Sequence, residues 1–155
     1  MPTMQWSEPS AWADAFTAAS LTGGTVVVNY GLLSSVIVDN STTHAYYADL
    51  SVRLASFTPT AGGNLAFYAL PLLDDGTTYA DGASSATASS QPSMTHFIGA
   101  LGLRAVASAQ NGMLSRVLVP PTSFKFYVLN KSGAALATTT TGNTIKYRLF
   151  SEEAV

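Results

Sequence analysis

From Ala45 to Phe57 apolar and polar residues alternate over a length that only a β-strand with one wet face explains. Tyr46, Ala48, Leu50, Val52 and Leu54 fall on one side, and Tyr47, Asp49, Ser51 and Arg53 on the other. Similar runs recur along the chain. Thr25–Tyr30 and Leu33–Val38 are rich in β-branched residues and are separated at Gly31, and Asp39-Asn40-Ser41 is turn chemistry. Phe97–Val106 and Met113–Val119 read as strands joined near Gln110-Asn111-Gly112, since Asn-Gly favours hairpin turns. In the closing block, Val117–Phe150, a Pro-Pro corner precedes two patterned strands that read as closing one sheet. Phe124, Phe126 and Val128 share one face, as do Ile145, Tyr147 and Leu149, with Lys125, Lys146 and Arg148 pointing away. Seven to nine short strands with no second helical pattern predict an all-β fold. The expected architecture is an antiparallel β-sandwich of jelly-roll type, in a single domain over residues 21–155.

Residues 1–20 differ from the rest and read as an N-terminal arm, helical or extended. Ser10, with Pro9 before it, suits a helix cap, and Trp12, Ala15, Phe16 and Ala19 recur at helical spacing. Both tryptophans, Trp6 and Trp12, lie in this arm. They serve either as core of the same domain or as anchors on a neighbouring subunit, because aromatic rings bury large area at small entropic cost.

Leu65–Leu73 is apolar on both faces: Leu65, Phe67 and Ala69 on one, Tyr68, Leu70 and Leu72 on the other. A sandwich strand normally wets one face, so the second calls for another element or another subunit over it. Pro71 cannot donate to a ladder, which suggests an edge strand or a bulge. The segment 74–95 is the longest loop, with turn dipeptides at Asp75-Gly76 and Asp81-Gly82 followed by an Ala/Ser/Thr run.

Charged residues make up 10% of the 155-residue chain, against roughly 25% in ordinary globular proteins. A surface this poor in charge suits an assembly in which neighbours cover part of it, although neutral Ser/Thr-rich surfaces also occur on extracellular β-domains. The net charge is −2 and the seven basic residues are scattered, so a nucleic-acid partner is not expected. The absence of cysteine excludes disulfides, thiol catalysis and Cys-ligated zinc, and fits folding in a reducing cytoplasm. The N-terminal residues have neither a basic nor an apolar signal region, and no run approaches the roughly 20 apolar residues of a helical membrane span.

Catalytic and metal motifs are not evident. His44 and His96 lack partners at ligand spacing, and the three glutamates, Glu8, Glu152 and Glu153, sit near the ends. Asp74, Asp75 and Asp81 are explained by turns rather than by a calcium loop. Neither a Gly-x-Ser-x-Gly elbow nor a phosphate-cradling glycine loop occurs. Asn40-Ser41-Thr42 and Asn130-Lys131-Ser132 match the glycosylation sequon, idle without export. No cofactor is expected.

In order and pattern, these segments resemble a group of small virion proteins of tailed bacteriophages. The landmarks are Tyr46-Tyr47-Ala48-Asp49, the stretch LAFYALPLLDDGTTYADG from Leu65 to Gly82, and the Pro-Pro corner. Phe124-Lys125-Phe126, Asn130-Lys131-Ser132-Gly133 and Gly142-Asn143-Thr144 complete them. The resemblance spans about residues 33–150 and leaves out the arm. It implies a non-enzymatic component of the particle: a capsid decoration or cement protein on the head surface. Such a protein binds the major capsid protein lattice, commonly as a homotrimer, after assembly in the host cytoplasm. A tail or neck protein, or a lectin-like glycan-binding module using the loop Asp74–Thr95, is the alternative. Candidate subunit or capsid contacts are Trp6, Trp12, Phe16, Phe67, Tyr68, Leu70 and Leu72.

Overall fold

The computed structural model describes residues 4–17, 21, 31–82, 91–137 and 142–154. The strands among them are β1 (Met4–Trp6), β2 (Ala13–Asp14), β3 (Leu32–Val38), β4 (Tyr47–Phe57) and β5 (Asn64–Pro71). They continue with β6 (Phe97–Gly102), β7 (Ser108–Leu118), β8 (Phe124–Lys131), β9 (Thr144–Phe150) and β10 (Glu152–Ala154). They form two four-stranded antiparallel sheets, a first ordered β2-β9-β4-β7 and a second ordered β3-β8-β5-β6, and a ribbon of β1 with β10. The all-β antiparallel sandwich expected from the pattern is what the chain forms. Pairing is nested: β2 with β9, β3 with β8, β4 with β7, β5 with β6. The chain therefore runs like one long hairpin rolled over itself, changing sheets at every connection from β2 to β9 except β5–β6.

The alternation in β4 acts as the sequence predicts from Ala48 onward, whereas Tyr46, expected on the same face, precedes the strand and is exposed. Ala48, Leu50, Val52 and Leu54 are buried on the inner face of the first sheet. Opposite them the second sheet contributes Leu65, Phe67 and Ala69 from β5 and Phe124, Phe126 and Val128 from β8. Phe124 and Phe126 meet edge-on at 5.0 Å, and Phe126 reaches across to Tyr147 of the first sheet at 5.7 Å. Burying each such side chain stabilises the fold by roughly 1.5–3 kcal/mol.

The closing strands differ from expectation. β8 and β9 lie in different sheets and face each other across the core, so they do not close one sheet. Lys125 therefore sits on the opposite outer surface from Lys146 and Arg148. Alternation assigns each strand its inward face but is silent about its lateral neighbour. The expected hairpin at Asn111-Gly112 is likewise absent: both residues lie inside β7, paired with Arg53 and Val52. The turn falls at 103–107 instead. Glycine at 112 serves close packing, since a Cβ there would collide with the Leu101 side chain of β6.

β5 is an interior strand between β8 and β6, not an edge. Pro71 is tolerated because it is the last residue of β5 and pairs only with Phe124 of β8, beyond the end of the β6 ladder at Tyr68. The outer face of β5 is buried within the single chain, as Leu32, Ala66, Tyr68, Leu70, Tyr127 and Leu129 form a second apolar cluster. Described parts of the long loop come over this face. Leu72 bridges to Tyr79, the Tyr79 ring lies 4.5 Å from the Lys125 ammonium, and Lys131 hydrogen-bonds Gln91. The expected strand Thr25–Tyr30, Ala19 and the Ala/Ser/Thr run that follows Asp81-Gly82 lie outside the described residues.

Buried asparagines hold the corners. The Asn40 amide donates to the carbonyls of Ala45 (2.8 Å) and Pro120 (2.7 Å). Its Oδ1 accepts from the Ala45 N–H (2.8 Å) and the Thr43 hydroxyl (2.9 Å). The turn before β4 is thereby tied to the Pro-Pro corner before β8. Asn130 accepts from the Ser132 N–H and donates to the Ala134 carbonyl, while Asn143 ties Leu21, Ala55 and Ala137 together. All three are buried, so the two sequon asparagines, Asn40 and Asn130, are corner pins with no side chain left over for a glycan.

Candidate functional site

The arm is extended. It runs along β9 and β10 as an added edge, with Ala13 opposite Tyr147, Asp14 opposite Lys146, and Met4–Trp6 opposite Ala154–Glu152. Between these pairings, Ser10 N–H donates to the Leu149 carbonyl and Ser7 N–H to the Ser151 carbonyl. The seryl hydroxyls accept in return, from Leu149 N–H at Ser10 Oγ and from Ser151 N–H at Ser7 Oγ. The helical spacing of Trp12, Ala15 and Phe16 thus has another cause. Only Ala13–Asp14 pair as a strand; Trp12 before it stays outward, and a bend at Ala15–Phe16 sends both of those side chains into the core.

This routing decides which predicted contact residues a partner can reach. Phe16, Phe67, Tyr68 and Leu70 are buried inside the chain and Leu72 is half-buried, which removes the first four as contact residues. The reason is that the chain covers its own doubly apolar strand. Trp6 and Trp12 stay 44% and 38% exposed on the outer face of the first sheet.

Each tryptophan is met by an arginine. The Arg116 guanidinium lies 4.3 Å from the Trp6 ring centroid and 5.9 Å from that of Tyr47. Trp6 also packs edge-on against Tyr47 and Phe150 at 5.7 and 5.5 Å. The Arg148 guanidinium lies 4.8 Å from the Trp12 ring and places both its Nε (2.9 Å) and a terminal nitrogen (2.8 Å) on one oxygen of Asp49, Oδ2. Asp49 is buried, and its other oxygen accepts the Arg116 N–H at 3.0 Å. There β7 bulges, with Ser115 and Arg116 facing the single residue Asp49. Arg116 has a φ of +57°, in the left-handed region, and the Asp49 hydrogen bond holds it there. One carboxylate thus sets both the bulge and the aromatic–cation row. Asp49→Asn should lower stability by about 1.5–3 kcal/mol, the scale of a charge-assisted hydrogen bond, read by urea unfolding. Loss of the Trp12–Arg148 contact should appear as a change in tryptophan fluorescence.

Next to this row the outer face is concave. Trp12, Ser51, Arg53, Thr144 and Lys146 line a groove of about 260 Å³. Ser51 pairs across to Lys146 and Arg53 to Thr144, so adjacent strands present these side chains together. The sequence places Ser51 and Arg53 on the wet side of β4 and Lys146 on the wet side of β9, but that β4 and β9 are neighbours has no local signature.

The open edges are the other exposed feature. β6 and β7 end the two sheets on the same side of the sandwich and pack together through Leu101 on Gly112. β6, FIGALG, has no charged residue, and β7 has only Arg116. Phe97, Met113 and Leu118 are exposed along them, Leu118 by 66%.

His44, Asp75 and Asp81 have structural partners. His44 Nδ1 is 2.9 Å from the Pro121 carbonyl oxygen. Asp75 accepts from the N–H groups of Thr77 and Thr78, and hydrogen bonding to Thr78 and Thr77 lowers its carboxyl to about 2. Asp81 accepts from the Ser93 N–H. Among the described residues, no three His, Cys, Asp or Glu side chains gather as a metal site, and no helix is long and apolar enough to cross a membrane. Tyr79, the one aromatic ring in the expected glycan-binding loop, is engaged with Lys125.

No protein-family model matches the chain, and comparison with curated proteins finds no match.

Proposed function

We propose that the chain is a non-enzymatic structural protein of a tailed-bacteriophage virion. In this reading it is a jelly roll that decorates the head, bound as a homotrimer to the lattice of the major capsid protein. The observation that supports it most is the pair of open edges, β6 and β7, on one side of the sandwich. Natural sheets blunt a free edge with charge, proline, a bulge or a covering element. β7 has a bulge at Ser115–Arg116 and several polar residues, but β6 is apolar and uncharged, and the two strands expose Phe97, Met113 and Leu118, as suits strands that neighbouring subunits cover. The nested strand pairing and the sequence resemblance point the same way.

The mechanism follows from linkage. Pressure from packed DNA breaks a head by separating its capsomers. A clip across several subunits binds only the assembled state, and so stabilises that state. An ordinary specific interface buries ~1,600 Å², and repetition around a local symmetry axis adds avidity.

The test is co-sedimentation of the purified chain with heads lacking it and, separately, with tails. Saturable binding to heads supports the proposal. Binding to tails alone would transfer the chain to the tail or neck, and binding to neither would refute a virion role. Two edge substitutions, Ala100→Lys and Leu118→Lys, should change monomer stability by no more than about 0.5 kcal/mol, as exposed sites do. They should nonetheless abolish trimers in analytical ultracentrifugation and weaken head binding at least tenfold.

A further inference from the structure

We propose that the groove between Trp12 and Arg53 binds a single carboxylated sugar residue. Arg53 and Lys146 take the carboxylate, and the pyranose ring lies against the Trp12 indole.

Four observations carry this. First, Arg53 is exposed and, among the described residues, has no carboxylate within ion-pair distance, so a cation stands in a concavity without a counter-charge. A guanidinium offers a planar fork that matches a carboxylate. Second, the other cation is only lightly held. Lys146 is 3.4 Å from Asp14, with both side chains largely exposed, and surface pairs of this kind are worth ~0–1 kcal/mol. An incoming anion can therefore share Lys146 and leave Asp14 to accept a sugar hydroxyl.

Third, the indole wall is fixed in place. Arg148 lies against Trp12 and is itself clamped by Asp49, so the ring stands ready without ordering on binding. An indole offers an apolar face to the C–H face of a pyranose, and Ser51 and Thr144 add hydroxyls that donate or accept. Fourth, the volume of about 260 Å³ lies below the ~300–1,000 Å³ of pockets for drug-sized ligands. That suits one ring, such as a terminal or branching residue of a longer glycan. The mixture of two cations, two hydroxyls and an apolar wall favours an acidic sugar over a bare anion, which needs no indole.

This site is independent of the proposed head-binding role and lies on the outer face of the first sheet, away from the long loop. The experiment is a titration of the full-length chain, ¹⁵N-labelled, with glucuronate, glucose and inorganic phosphate. Glucuronate should shift the Ser51, Arg53 and Thr144 amides saturably. Glucose should bind at least tenfold more weakly, and Arg53→Gln should weaken glucuronate at least tenfold. In the Trp6→Phe variant, where Trp12 is the sole tryptophan, glucuronate should also change the fluorescence. Equal binding of phosphate and glucuronate would overturn the sugar assignment. An absence of saturable shifts with glucuronate, or equal binding by Arg53→Gln, would overturn the site. Head co-sedimentation by the same Arg53→Gln protein should be unchanged.

Discussion

Phe67→Ala is expected to lower the unfolding free energy by about 3–5 kcal/mol, the cost of truncating a fully enclosed phenylalanine. Phe67 is completely buried on the inner face of β5, where its strand is flanked by β8 and β6 and faces the first sheet. Surroundings held by ladders on both sides can collapse little into the space left, so the cavity term stays. Domains of this kind have only about 5–15 kcal/mol in total, so the loss is a large fraction of it. Urea unfolding should show a lower midpoint at an unchanged slope. A loss below about 1 kcal/mol would mean that the two sheets are not packed as described.

Asn40→Ala should cost about 2–4 kcal/mol, because it strips partners from buried backbone groups, each worth about 1–3 kcal/mol when left unpaired. The side chain satisfies both the N–H and the carbonyl of Ala45 and also the Pro120 carbonyl. These groups join the turn before β4 to the corner before β8, which are far apart in sequence. The loss should therefore be global, with faster amide exchange at Ala45 and a lower urea midpoint. Thr43→Ala, which removes one hydroxyl at the rim of the same network, should cost much less. Equal effects from the two would contradict the pinning role.

These two residues show what the sequence could and could not disclose. Phe67 was legible as core, because Leu65, Phe67 and Ala69 alternate within an apolar run. Its strand also showed a second apolar face, but the cover came from the same chain. A sequence records the need for cover and is silent about its source. Asn40 was legible as a turn residue, whereas its bond to Pro120 depends on the rolled topology. The same gap explains β8 and β9, whose faces were legible and whose separate sheets were not. Asn111-Gly112 misled for a physical reason: glycine supplies either a turn or room for a neighbour, and here Leu101 needs the room.

The arm and the groove were legible in the same partial way. Trp6 and Trp12 stood out as aromatics that are either core or anchors on a neighbouring subunit. That the arm carrying them runs along β9 and β10, with an arginine against each ring, depends on pairings of residues nearly a whole chain length apart. Arg53, Ser51 and Lys146 each had the right face, and only the β4–β9 ladder makes them one site. Exposed edges are harder still, since FIGALG reads equally well as an interior strand.

The proposed head-stabilising role is tested most directly by challenging particles that lack this chain with heat and osmotic shock, before and after adding it back. Wild-type chain should restore survival and retain packed DNA, while the Ala100→Lys/Leu118→Lys protein, equally folded, should not. Equal survival with and without the wild-type chain would contradict the account.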